Sequence, residues 1–170
     1  MVTYLLDNNI VQYFVHGGRG HELGVAAGKV CLAVAREVYR EACAGSHGAA
    51  GRAALPVDSV KILDIVVDSP EDTTLNALAP LGAARGQGER ESIALALHNP
   101  SLVFVANDRN ALWIALHELH APGERLIGVP VFLRRLHEVG ALSPACIDEV
   151  MRRWRGRRPT WWADWRADLQ

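Results

Sequence analysis

The stretch from Gly86 to Arg109, GQGERESIALALHNPSLVFVANDR, decides how the chain is read. Glu89 and Glu91 follow a pair of glycines and open a short run with helical spacing, the five apolar residues Leu102 to Ala106 read as a buried strand, and Asp108 stands just beyond that strand. In open parallel sheets ligands bind outside the carboxyl ends of the strands. Acids at a helix start and just past a strand end can therefore face one crevice.

Upstream, Val2 to Leu6 is an apolar, β-prone run that ends in Asp7-Asn8-Asn9, after which Ile10, Val11, Phe14 and Val15 recur at helical spacing. Asp7 thus ends a strand and opens a helix. Gly17, Gly18 and Gly20 break that helix, and a short helical piece is expected from His21 to Ala27. Lys29 to Val34 reads as a second buried strand. Ala35 to Ala44 follows as a helix, with Val38 and Ala42 on one face and Glu37 and Glu41 one turn apart on its neighbour. Residues 45–56, rich in Gly, Ala and Ser and closed by Pro56, read as a surface loop. Val60 to Val67 predicts a third strand. Ser69-Pro70-Glu71-Asp72 predicts a helix start, with the helix running to about Ala84.

Downstream, Arg109 to Leu119 is expected to be helical and Leu126 to Val129 to form a fifth strand. Pro130 opens a helix that Gly140 stops, and Ser143-Pro144 begins a last helix that fades near Trp154. Strands alternating with helices imply one α/β domain: a three-layer α/β/α sandwich around a central parallel sheet of about five strands. Residues 1–150 form that domain in this reading, and residues 151–170 a basic, tryptophan-rich tail.

Composition narrows the classes. At 170 residues the chain is long enough for one domain with a full core and short for two. Apolar residues make up 49% and charged residues 22%, a globular balance. Cys31, Cys43 and Cys146 are odd in number and lack a C-x-x-C pair, so neither a disulfide framework nor a zinc site is encoded. A reducing cytoplasm is the expected compartment. No apolar run approaches the ~20 residues that span a bilayer, and no signal peptide is recognisable, so no membrane association is expected. The absence of a G-x-S-x-G elbow, a phosphate loop and a dinucleotide fingerprint sets aside nucleophilic hydrolases and nucleotide-dependent enzymes.

Four positions combine an acid with the carboxyl side of the expected sheet: Asp7, Glu41, Glu89 or Glu91, and Asp108. Crowded carboxylates raise one another's pKa unless a cation neutralises them. Oxygen donors of this kind suit Mg²⁺ or Mn²⁺ rather than zinc. Such an ion activates water for phosphodiester hydrolysis. Each acid has an ordinary rival role: Asp7 and Asp108 as caps, Glu89 and Glu91 as first-turn acids favoured by the helix dipole, and Glu41 as a solvated face. Their joint order along the chain gives the site reading its weight.

Four segments carry a family resemblance: YLLDNNI at Tyr4 to Ile10, VAREVYRE at Val34 to Glu41, GERESIALAL at Gly88 to Leu97 and VFVANDRNA at Val103 to Ala111. Together they resemble the PIN domain, most closely its bacterial and archaeal toxin-like branch, over roughly residues 2 to 140. The resemblance implies metal-dependent cleavage of RNA that leaves a 3′ hydroxyl and a 5′ phosphate, with Mg²⁺ or Mn²⁺ as cofactor. It makes Asp7, Glu41, Glu89 and Asp108 the catalytic acids. Asp7, Glu89 and Asp108 would hold the metal, with Glu91 a close second to Glu89 as the third acid, and Asn9 matches the polar residue two places after the first acid. Arg90 and Arg109, beside the acids, are the candidates to meet substrate phosphate, and Asn9 is expected with them on the substrate side. Two departures stand out: glutamate at the third position, where aspartate is commoner, and Asn107, where a second aspartate or a threonine often sits.

The net charge of −1 divides into +4 on the last twenty residues, with six arginines against Asp164 and Asp168, and −5 on the first 150. That tail holds four of the five tryptophans. Arginine and tryptophan together grip nucleic acid, and they also anchor protein interfaces, so RNA contact, docking on the domain, a homodimer and an antitoxin interface all stay open. His117 and His120, one turn apart, show no third ligand. The expected function is a metal-dependent endoribonuclease, the toxin of a toxin-antitoxin pair. The alternative is a catalytically inactive PIN-like scaffold that binds a protein partner or RNA.

Overall fold

The central strand of the computed structural model, which describes residues 2–79, 86–107 and 125–155, is β1, Thr3–Leu6. Leu5 and Leu6 are fully buried in it. It is flanked by β2 (Cys31–Ala35) and β4 (Leu102–Val105), with β3 (Val60–Leu63) outside β2 and β5 (Leu126–Ile127) outside β4. Every pairing is parallel, in the order β3-β2-β1-β4-β5. The expected α/β sandwich is therefore what forms. The chain builds outward from β1 to β3, then returns to the other side of β1 to add β4 and β5. That reversal puts the topological switch between β1 and β4, where open sheets bind ligands.

Helices supply the crossovers. Leaving β1, Asp7 accepts a hydrogen bond from the Asn8 backbone N–H through Oδ1 (2.8 Å) and caps α1, Asn8–His16. Ile10, Val11, Phe14 and Val15 bury the face that the sequence spacing indicated. After α2 (Gly20–Ala26) and β2 comes α3, Arg36–Ala42, which buries Val38 and Ala42. Ser69 caps α5 (Pro70–Leu78), its hydroxyl accepting from the Asp72 N–H at 3.1 Å. Residues 80–84, at the end of the helix expected there, lie outside the described residues. The opening motif becomes α6, Gln87–His98, which packs on β1, β2 and β4 and against α5. The helices α7 (Val129–Glu138) and α8 (Pro144–Arg155) close the domain. Met151 and Trp154 of α8 are buried in the core, so the packed body continues past residue 150. The rest of the tail, and the helix expected from Arg109 to Leu119 with His117 and His120, lie outside the described residues.

Two sequence expectations are corrected. Residues 45–56 are not a loop: a 3₁₀ turn, Gly45–His47, leads into α4, Gly48–Ala54. A helix of this composition is weak alone, but its glycines let backbones touch. A Cβ at Gly51 would stand 1.9 Å from the Ala42 carbonyl oxygen, and on α2 one at Gly24 would stand 2.3 Å from that of Ala53. Close packing on α2 and α3 overrides local propensity. The third strand is also shorter than the β-prone run Val60 to Val67. Leu63 pairs with Ala35, where β2 ends, so the next residues find no ladder. Val66 and Val67 emerge 70% and 76% exposed.

Filling the contact at Gly51 tests the packing of α4. Gly51→Ala is expected to destabilise the fold by about 1–3 kcal/mol through overpacking, whereas Ala49→Ser, on the exposed face of the same helix, should change it by less than about 0.5 kcal/mol. Urea unfolding midpoints compare the two.

Candidate functional site

The carboxyl edge of the sheet is set by one backbone bond: the Asp7 N–H donates to the Val105 carbonyl at 3.0 Å, extending the β1–β4 ladder by a residue. This fixes Asp7 at the switch point. Its side chain is only 3% exposed. Oδ2 accepts from the Asn9 side-chain amide at 3.1 Å, while Oδ1 caps α1. Asn9, expected on the substrate side, thus orients Asp7. On the neighbouring strand end Asn107 is buried and donates through Nδ2 to the Tyr13 hydroxyl, 3.2 Å away on α1. The position at which the family pattern favours another acid here ties β4 to α1. Asp108 and Arg109 lie outside the described residues.

Glu41, at the far end of α3, reaches back to the same edge. Its Oε2 accepts from the Asn8 side-chain Nδ2 at 2.7 Å, and the Asn8 side-chain Oδ1 accepts from Gln12 Nε2 at 3.3 Å. Burial pushes the Glu41 carboxyl above its ordinary pKa, and the charges of Glu37, Asp7 and Glu91 push the same way, against the Asn8 hydrogen bond. The acids from the end of β1, from α3 and from α6 therefore sense one another.

The start of α6 comes this close because of Gly88. A Cβ there would meet Val38 Cγ2 at 2.9 Å and the Val38 backbone nitrogen at 3.1 Å, so α6 enters against the first turn of α3. Glu91 is 8% exposed and satisfies that turn: Oε2 accepts from the Glu37 N–H at 3.0 Å, and Oε1 accepts from Gln87 Nε2 at 3.0 Å. Ala35 has no side chain to cap α3, so Glu91 takes that work from another helix. Glu89, two residues earlier, is half-buried and does not share this capping bond. Arg90 is half-buried, and its Nε is buried without a hydrogen-bond partner.

Asp7, Glu41 and Glu91 are thus brought to one edge. Among the described residues no group of three or more His, Cys, Asp or Glu side chains is arranged to hold a metal ion. The donor chemistry fits a hard divalent ion, since the carboxylates are oxygen donors and the charges of Glu37, Asp7 and Glu91 add to the burial that raises the proton affinity of Glu41. Sequence reasoning missed Asn8, which clamps Glu41, and Glu37, whose charge bears on Glu41 and whose N–H takes Glu91. The DNN run held a signal for Asn8: three consecutive polar residues where one suffices as a cap.

Burial also raises the Cys146 thiol to about 11, so this cysteine packs in the core as a neutral group. No family model, curated protein or solved structure matches the chain. Among the described residues no helix is long and apolar enough to cross a membrane.

The sign of the Glu41 shift makes a stability prediction. A carboxyl that holds its proton more tightly in the folded than in the unfolded state loses stability as pH rises from its ordinary value through its folded one. Glu41→Gln keeps an acceptor for Asn8 and removes the charge. Its melting temperature should equal or exceed that of wild type at pH 7, and the two should converge at about pH 4. A variant less stable than wild type at pH 7 would contradict this electrostatic account.

Proposed function

We propose that the chain is a Mg²⁺- or Mn²⁺-dependent endoribonuclease of the PIN type, acting as the toxin of a toxin-antitoxin pair. The observation that carries this reading is the meeting of Asp7, Glu41 and Glu91, drawn from three separate segments, at the carboxyl edge beside the β1–β4 switch. Asp7 and Glu91 each cap a helix there, whereas Glu41 caps none and is held within electrostatic reach of both, an arrangement that a cation would stabilise.

In this proposal Asp7, Glu89 and Asp108 hold the ion, and Glu91 braces α3. Glu89 is taken as the third acid from its place in the GERESIA run, while Glu91 makes the capping bond to the Glu37 N–H. A bound Mg²⁺ or Mn²⁺ would neutralise charge on the scissile phosphate and lower the pKa of water. Asp7 is oriented in advance by the Asn8 N–H and the Asn9 amide. Glu41, with its raised proton affinity, is suited to take the proton of the attacking water, and Asn8 holds it in register. Water attacks phosphorus as its proton passes to Glu41, the bond from phosphorus to the 3′ oxygen breaks, and that oxygen takes a proton from solvent, leaving a 3′ hydroxyl and a 5′ phosphate. Arg90 and Arg109 are the candidates to contact phosphate oxygens.

A second reading, a non-catalytic PIN-like scaffold that binds RNA or a protein partner, is favoured by the bond from Asn107 to Tyr13 and by the lack of a three-ligand group among the described residues. Fold alone does not separate the two.

Purified protein incubated with total RNA and Mn²⁺, Mg²⁺ or EDTA, beside Asp7→Asn, makes the decision. Asparagine caps a helix as well as aspartate does, so the variant should fold while losing metal-dependent cleavage to background. Full activity in Asp7→Asn would overturn the assignment. Mn²⁺ titration adds an independent readout: at about one hundred times its dissociation constant the ion should add about 2.7 kcal/mol of stability to wild type. No binding and no cleavage together would leave the scaffold reading.

A further inference from the structure

Away from the acidic edge, two histidines from distant parts of the chain face each other at the surface. His16 is the last residue of α1 and His47 ends the 3₁₀ turn that leads into α4. Their ring centroids are 4.9 Å apart and their planes are tilted by 55°, which excludes a parallel stack. Both residues are exposed. The backbone arranges this meeting: Gly45 adopts φ +65°, a left-handed turn that L side chains rarely adopt, and reverses the chain just before His47.

The spacing has a chemical meaning. An ion bound at about 2.0–2.1 Å from one nitrogen of each of two imidazoles lies ~3.2 Å from each ring centre, so ligand angles of about 90–110° set the centres about 4.5–5.2 Å apart. The observed 4.9 Å falls within that interval. His16 also occupies the carboxyl-terminal turn of α1, where the helix dipole favours a cation.

We infer that His16 and His47 form a binding site for a divalent transition ion of the nickel, copper and zinc class, separate from the acidic edge. Imidazole donors select these ions over Mg²⁺ and Mn²⁺. Among the described residues no third His, Cys, Asp or Glu completes a larger group, so water fills the remaining coordination positions. The bound ion clips the end of α1 to the start of α4. It reinforces a helix pair whose contact otherwise depends on small residues, and it leaves the Asp7 end of α1 untouched.

The test uses the full chain without an affinity tag, titrated with NiCl₂ or ZnCl₂ and followed by calorimetry and thermal melting. Wild type should bind one ion and gain about 5–10 °C in Tm at roughly one hundred times the dissociation constant. The gain should reverse with EDTA and persist in Asp7→Asn, and any stabilisation by MgCl₂, which belongs to the acidic edge, should be unchanged in the histidine variants. His16→Gln and His47→Gln, both at exposed positions, should each abolish the gain from NiCl₂ or ZnCl₂ while melting like wild type without metal. Absence of saturable binding to wild type overturns the site. So does a Tm gain that survives in either variant, which would assign the ion to the carboxylates or cysteines.

Discussion

The hydrogen bond from the Asp7 N–H to the Val105 carbonyl is the constraint on which the rest of the molecule depends. It continues the ladder between β1 and β4, whose register runs from Thr3 opposite Leu102 to Leu6 opposite Val105. Because β1 lies at the centre of the sheet and the chain crosses from one side of it to the other, this rung marks the topological switch between the two strands. A crevice at that point follows from topology. Asp7 sits there with its side chain doubly engaged, and α1 starts from it. Moving the register by a single residue would turn every side chain of β1 to the opposite face and take the aspartate out of the edge.

Around that rung the site is held together by polar bonds between elements more than by acids alone. Asn8 links α1 to α3 through Glu41, Glu91 links α6 to α3 through the Glu37 N–H, and Asn107 links β4 to α1 through Tyr13. Each bond satisfies a group that would otherwise be buried without a partner. Burial first, and then the charges of Glu37, Asp7 and Glu91, raise the Glu41 carboxyl above its ordinary value. An edge with this much negative charge is less favourable for the empty fold than a neutral one, and a cation would relieve it. That electrostatic tension is the physical basis of the proposed nuclease centre.

Glycine has two different tasks in the same fold. At Gly45 it adopts a backbone conformation that side chains resist, whereas at Gly51 and Gly88 it removes a Cβ that a neighbouring backbone would strike. The second use explains why a Gly/Ala tract became a helix. Composition signals a loop when propensity is summed residue by residue, but α4 is stabilised by what lies across from it, and the facing helices α2 and α3 lie outside the tract.

Periodicity and turn chemistry were sufficient to read the order of the strands and, α4 aside, of the described helices, the buried face of α1, the Ser69 cap and the parallel sheet, because each is a local consequence of side-chain spacing or of a capping hydroxyl. The candidate acids were legible for the same reason, as residues standing at strand ends and helix starts. Tertiary structure alone decided that the strand begun at Val60 stops at Leu63, since its partner β2 ends at Ala35. It also decided that Glu91 serves α3 while Glu89 does not share that bond, and that His16 meets His47. These outcomes depend on atoms brought together from distant positions in the chain, and no local pattern of residues specifies a distance between them.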